Sequence, residues 1–129
     1  MKRFYLLVAV FALFQPTPAF ADELVDSYIA RLGASDHFNS YGERLTSAAA
    51  IIRQDRANYH VFGRYDPEDQ RDSFFASKRN RAILESMLQN GRISRAALNE
   101  IVHGEPLVKI SIWNSGYGRD YVEVHVIRD

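Results

Sequence analysis

The stretch Val108–Val126, "VKISIWNSGYGRDYVEVHV", alternates apolar and polar side chains on both sides of a turn that contains two glycines. The apolar members are Val108, Ile110 and Ile112 before the turn and Val122, Val124 and Val126 after it. A period of two is typical of a strand that buries one face. The stretch therefore predicts a C-terminal β-hairpin whose apolar face packs against the rest of the chain.

Upstream of this hairpin, the apolar residues recur mostly at helical spacing. The sequence predicts helices over Leu24–Leu32, from about Gly42–Leu45 to Tyr59, over Lys78–Asn90 and over Arg95–His103. Ser77 and Ser94 are suitable N-caps for the last two helices, and glycines stand where three of the four should end. We therefore expect about four helices.

Two strands alone are marginally stable in water, so a third strand is expected to complete the sheet. The best candidate is the patch Tyr59–Tyr65, "YHVFGRY", which is rich in aromatic residues. The predicted fold class is α+β, with the helices packed on one face of a small antiparallel sheet.

The N-terminus has the features of a secretory signal peptide. Lys2 and Arg3 form a basic start, Phe4–Phe14 is an apolar run, and Ala19-Phe20-Ala21 matches a small-residue cleavage pattern. The run is too short to span a bilayer, which needs about 20 helical residues. We expect a signal peptide over residues 1–21, a single globular domain over residues 22–129 and no transmembrane anchor after cleavage.

The composition of the expected mature chain limits its function and location. Removing the two basic residues Lys2 and Arg3 from 16 leaves 14 Lys and Arg against 16 Asp and Glu, a formal net charge of −2. This balance argues against general binding of nucleic acid through bulk charge. The chain has no cysteine and thus no disulfide, although export would permit one. We expect a bacterial protein that is periplasmic or secreted.

Arginine, histidine and acidic residues are concentrated in the segment Arg53–Phe75, "RQDRANYHVFGRYDPEDQRDSFF". At 100° per residue, Arg56 falls inside the apolar stripe of the second predicted helix, because it lies about 20° from Leu45. A charge placed there needs a partner, since burying it unpaired costs several kcal/mol. The interpretation that we favour is structural: Arg56 pairs with one carboxylate of the following loop, which offers Asp66, Glu68, Asp69 and Asp72.

A functional interpretation uses the same helix flank. Arg53, Arg56 and His60 could together bind an anion, because guanidinium groups match carboxylate and phosphate geometry. Tyr117 and Arg119, at the hairpin tip, are candidate interface residues. The four histidines show no metal-binding spacing and no phosphate-binding glycine loop is present, so we expect neither a metal nor a cofactor.

These patterns favour a non-catalytic module of the bacterial envelope that recognises a partner protein or a small anionic ligand. The alternative is a small secreted hydrolase in which His60 is a general base and Arg53 or Arg56 stabilises negative charge. No serine stands in a recognisable nucleophile motif, which argues against that alternative.

The first testable prediction concerns export. If the leader is cleaved after Ala21, the mature protein recovered from a bacterial host begins with Asp22, because the small-residue pattern directs cleavage there. Intact-mass spectrometry of the periplasmic and culture fractions measures this directly. A full-length protein with Met1 intact, found only in the cytoplasm, would contradict the prediction.

Overall fold

A computed structural model of the chain describes Pro16 and residues 21–128, so the predicted signal peptide lies outside the described residues except for Pro16 and Ala21. Three antiparallel strands form one sheet in the order β1-β2-β3. The strands are β1 (Glu23–Arg31), β2 (Leu107–Asn114) and β3 (Asp120–Val126), and the helices are α1 (Ala48–Ala57), α2 (Lys78–Ala82), α3 (Leu84–Gln89) and α4 (Arg95–His103). The predicted α+β class is confirmed.

The C-terminal hairpin forms in the predicted register. Strands β2 and β3 pair so that Val108 faces Val126, Ile110 faces Val124 and Ile112 faces Val122. The three β2 residues are fully buried and join the hydrophobic core. In the connecting turn Gly118 adopts a φ of 77°, a conformation that side chains with a Cβ rarely take. The hairpin prediction is confirmed.

The prediction of a first helix over Leu24–Leu32 is wrong, because this segment is strand β1. It pairs along β2, with Tyr28 opposite Ile110 and Ala30 opposite Val108. Tyr28, Ala30 and Leu32 are buried, whereas the residues between them are partly exposed, which is a period of two. Tyr28 and Leu32 also fit helical spacing together with Leu24 and Ile29, so the edge of β2, which is distant in sequence, decided between the two periods.

The prediction of a third strand at Tyr59–Tyr65 is also wrong. Residues Asn58–Phe62 form a π-helical turn that continues α1, and Gly63 ends it in the left-handed conformation with a φ of 64°. Neither edge of the sheet is open to this segment. On the outer edge of β1, Ile29 and Arg31 bond to Gln70 and Asp69 of the following loop. On the outer edge of β3, the backbone of Arg92 bonds to Val122 and Val124.

Serine N-caps begin the main helices. Ser47, Ser77 and Ser94 accept hydrogen bonds from backbone N–H groups three residues ahead, which satisfies donors that the helix leaves unpaired. Helix α4 has the predicted bounds, α1 begins later than predicted, and the predicted helix Lys78–Asn90 is interrupted at Ile83. Among the described helices, none is both long and apolar enough to cross a membrane.

Gly91 lets the chain pass close to the sheet after α3. A Cβ built at this position would lie 1.8 Å from the carbonyl oxygen of Val122 and 2.8 Å from that of Met87. No side chain fits in that space. Glycine at this position therefore allows the end of α3 to lie directly against β3, which closes one side of the core.

Candidate functional site

The side chain of Arg56 lies in the centre of the core with none of its surface exposed. Its guanidinium carbon lies 4.0 Å from the ring centroid of Tyr28 and 4.6 Å from that of Tyr59. Such stacking on aromatic faces stabilises a cation, more so when it is desolvated. Burial opposes the charge and lowers the pKa of Arg56, but Tyr28 and Asp55 raise this pKa above its ordinary value overall. The group is a buried, charged guanidinium.

Arg56 links its own helix to the loop that follows. Its Nε donates to Asp55 Oδ2 at 2.8 Å, and its Nη1 donates to Asp72 Oδ1 at 2.9 Å and to the carbonyl oxygen of Gln70 at 3.0 Å. The prediction that Arg56 pairs with a loop carboxylate is confirmed, and the carboxylate is that of Asp72. Its Nη2 has no hydrogen-bond partner among the described residues.

Asp72 collects three donors in a site that excludes solvent. Besides Arg56, His60 Nε2 lies 2.8 Å from Asp72 Oδ1, and the backbone N–H of Phe75 donates to Asp72 Oδ2 at 2.6 Å. The Asp72 side chain is fully buried and the His60 side chain is 9% exposed. Asp72 thus ties the end of α1 to the start of the segment that leads into α2.

A third buried carboxyl group, Asp36, extends this network on the other side of Asp55. Asp36 accepts hydrogen bonds from Asn58 Nδ2 at 2.9 Å and from the backbone N–H of Gly33 at 3.0 Å. Burial raises the pKa of Asp55 well above its ordinary value, against the effect of Arg56, and the charge of Asp36 raises it further. Burial also raises the pKa of Asp36, although hydrogen bonds from Asn58, Gly33 and Asp55 oppose the rise. We call Asp36, Asp55, Arg56, His60 and Asp72 the buried charge network.

His37, beside this network, bridges two backbone carbonyl groups. Its Nδ1 lies 2.7 Å from the carbonyl oxygen of Gly33, and its Nε2 lies 2.8 Å from that of Ile101. Carbonyl oxygens only accept hydrogen bonds, so His37 is the donor in this bridge. The side chain is buried and holds the turn before α1 against α4.

The three residues of the predicted anion site have different surroundings. Arg56 and His60 meet at Asp72, whereas Arg53 is exposed and forms no ion pair with any described residue. Tyr117 and Arg119 are exposed in the hairpin turn. Ligand binding by the first three residues and partner binding by the last two stay predictions.

The geometry around His60 also bears on the hydrolase alternative. A histidine that contacts a carboxylate resembles the base and its orienting partner in hydrolases. However, among residues 21–128 the hydrogen bond of His60 is with Asp72 and its ring contact is with Tyr59, and no serine or threonine hydroxyl is hydrogen-bonded to it. Over the same residues, no group of three or more His, Asp and Glu side chains could hold a metal ion.

An open groove of about 490 Å³ lies on the surface between α1 and α2. We call it the cationic groove, and it is lined by Ser40, Arg53, Gln54, Ala57, Val61, Phe62, Lys78, Arg81 and Ala82. Val61 is 57% exposed and Phe62 is 52% exposed, so the groove has an apolar wall that is open to solvent. The lining contains three cationic side chains and no acidic one.

Of the groove residues, only Arg53 was a candidate ligand-binding residue from the sequence. Val61 and Phe62 were assigned to a strand, in which one of two neighbours would face the core. In the π-helical turn both are exposed instead. The sequence "SKRNR" at Ser77–Arg81 offered a signal, because it places Lys78 and Arg81 one helical turn apart.

The chain was compared with protein-family models, with curated proteins and with solved structures, and none of them matches it.

The second prediction concerns the buried charge network. Arg56→Ala leaves Asp72 and Asp55 buried without their cation, so we expect a loss of about 3 kcal/mol in the free energy of unfolding, as for breaking one side of a buried pair. His60→Ala should cost less, because it removes one contact at the margin of the network. Urea unfolding measures both changes, with the exposed Arg53→Ala as the control. An Arg56→Ala variant as stable as the parent would contradict the structural role.

The third prediction concerns pH. Because the folded pKa of Asp55 is raised, the folded chain keeps this proton above the ordinary pKa of about 3.8, at which the unfolded chain loses it. The stabilising contribution is complete below that pH and falls as the pH rises toward the folded pKa. Asp55→Asn keeps the shape of the protonated group but cannot ionise, so its stability should fall less over this pH range. Urea unfolding at several pH values measures the difference.

Asp26→Asn is the control, because the contribution of Asp26 to stability should change with pH in the opposite direction to that of Asp55. Burial would raise the pKa of Asp26, but hydrogen bonds from Ser73 and Ser27 lower it overall. Its contribution is therefore present above the unfolded pKa and is lost as the pH falls. If Asp55→Asn and the parent show the same pH dependence of stability, the proposed protonation of Asp55 is wrong.

Proposed function

We propose that the protein is an exported, non-catalytic binding module of the bacterial envelope, and that its cationic groove binds a small anionic ligand with an apolar body. The observation that carries the proposal is the combination in one groove of three cationic side chains, no acidic side chain and two exposed large apolar side chains. A ligand with one anionic group and one apolar part complements both features.

Two of the three cationic side chains of the groove are available to a ligand. Arg53 and Lys78 form no ion pair and no side-chain hydrogen bond among the described residues. Glu85 lines a small neighbouring cavity with Arg53, yet the two side chains are not paired. Arg81 differs, because its Nη1 donates to the carbonyl oxygens of Phe75 and Ala76. Arg53 and Lys78 are therefore the residues expected to meet the anionic group, since charge-assisted hydrogen bonds to carboxylates are strong.

The size of the groove favours a small molecule over a partner protein. Small-molecule sites typically enclose about 300–1,000 Å³ and combine an apolar lining with a few polar groups. The cationic groove lies within this range at about 490 Å³. A protein partner would need an interface of roughly 800 Å² on each side, and nothing about this groove requires one.

The buried charge network supports the apolar wall of the groove. Val61 and Phe62 belong to the π-helical turn, and the turn is held from inside by His60 on Asp72 and by Asn58 on Asp36. A site built on a turn fixed in this way needs little ordering when the ligand binds, which favours affinity. The structural role of the network and the binding role of the groove are thus compatible.

The fourth prediction tests this proposal with decanoate, a carboxylate with an apolar chain. Isothermal titration calorimetry should show saturable binding of decanoate, and weaker binding of 1-decanol, which has the chain without the charge. Arg53→Gln and Lys78→Gln should each weaken decanoate binding about tenfold, because each removes a charge-assisted hydrogen bond.

Arg95→Gln is the matched control, because Arg95 is an exposed helical arginine that does not line the groove. It should bind decanoate as the parent does. Absence of decanoate binding, or equal loss in the control and in the two groove variants, would refute the proposed function.

A further inference from the structure

The cationic groove adjoins a second cavity that also has Phe62 in its lining. This distal cavity has a volume of about 310 Å³ and shares Ser40, Gln54 and Phe62 with the groove. It also has Arg64 in its lining, and it contains no acidic side chain. The two cavities thus share the Phe62 wall, with Arg53 and Lys78 in one and Arg64 in the other.

The position of Arg64 follows from the end of the π-helical turn. Gly63 reverses the chain with a φ of 64°, and the backbone N–H of Arg64 then donates to the carbonyl oxygen of Asn58 at 2.8 Å. The guanidinium of Arg64 is exposed and has no ion pair or hydrogen bond with any described residue. It is a third available cation, carried by a backbone position that the hydrogen bond to Asn58 holds in place.

The polar groups between the two sets of cations are largely satisfied within the protein. Gln54 Nε2 donates to Asn58 Oδ1 at 2.9 Å, and Asn58 Nδ2 donates to Asp36 Oδ1. Asn39 Oδ1 accepts from two backbone N–H groups. A ligand therefore gains little from hydrogen-bonding groups in its middle, whereas the exposed ring of Phe62 offers apolar contact.

We propose that the ligand of the groove is a linear dicarboxylate. One carboxylate binds at Arg53 and Lys78, the hydrocarbon chain passes over Phe62, and the second carboxylate binds at Arg64. This inference rests on the proposed function and adds the ligand class to it. It also explains why both cavities lack acidic residues, since an acidic residue in either cavity would repel the carboxylate that binds there.

The fifth prediction compares dicarboxylates with monocarboxylates of the same chain length by isothermal titration calorimetry. The pairs are adipate and hexanoate, suberate and octanoate, sebacate and decanoate, and dodecanedioate and dodecanoate. The ratio of the two affinities should pass through a maximum of about tenfold at the chain length that joins the two sets of cations, because one charge-assisted contact is added there.

Arg64→Gln should reduce this ratio to about one while leaving monocarboxylate binding unchanged. The matched control is Arg71→Gln, because Arg71 is an exposed loop arginine that lines neither cavity. It should retain the parent ratio. Both variants change exposed side chains, and circular dichroism confirms that they fold.

The outcomes separate the two proposals. If monocarboxylates bind but no dicarboxylate binds more tightly, the dicarboxylate inference is overturned and the proposed function stands. The same holds if Arg64→Gln still binds a dicarboxylate more tightly than the monocarboxylate of the same length. If neither class binds, both are overturned. A blocked acidic peptide with two glutamates is the last probe, and if it binds more tightly than any dicarboxylate, the ligand is a partner protein and the inference is again overturned.

Discussion

The other parts of this structure depend on the contacts of the buried guanidinium of Arg56. Its planar group lies between the rings of Tyr28 and Tyr59, and its hydrogen bonds go to Asp55 and Asp72. Through these contacts one side chain joins strand β1, helix α1 and the loop after the π-helical turn. A cation at such a site is tolerated only because stacking and charge-assisted bonds replace the water that it loses.

The buried charge network also holds the π-helical turn at the protein surface. Asp72 holds His60, and Asp36 holds Asn58, so the turn that carries both residues is anchored from within. The next two residues, Val61 and Phe62, are then exposed to solvent on this anchored turn. Both side chains are more than half exposed, and their position beside cationic side chains is the feature on which the proposed ligand site rests. The structural role of the charged segment is therefore compatible with the binding role that we propose for the groove.

Part of the site was accessible from the sequence and part was not. The helical position of Arg56, inside an apolar stripe, required a buried partner, and its loop carboxylate partner follows from that requirement. Which carboxylate is used did not follow, because Asp66, Glu68, Asp69 and Asp72 are all close in sequence. The choice depends on how the loop folds back over β1, where the backbone N–H of Gln70 bonds to the carbonyl oxygen of Ile29 and Asp69 accepts from the backbone N–H of Arg31.

The sequence by itself determined the C-terminal hairpin and helix α4, because their periods, caps and turn residues are local and agree with one another. Only the tertiary structure decided that Glu23–Arg31 is a strand and that Asn58–Phe62 is a π-helical turn. The apolar residues of the first segment fit both periods, so its conformation was decided by the open edge of β2. With the outer edge of β1 covered by Asp69 and Gln70 and the outer edge of β3 held by Arg92, the second segment had no strand to pair with. Its backbone groups are instead satisfied within the π-helical turn that continues α1.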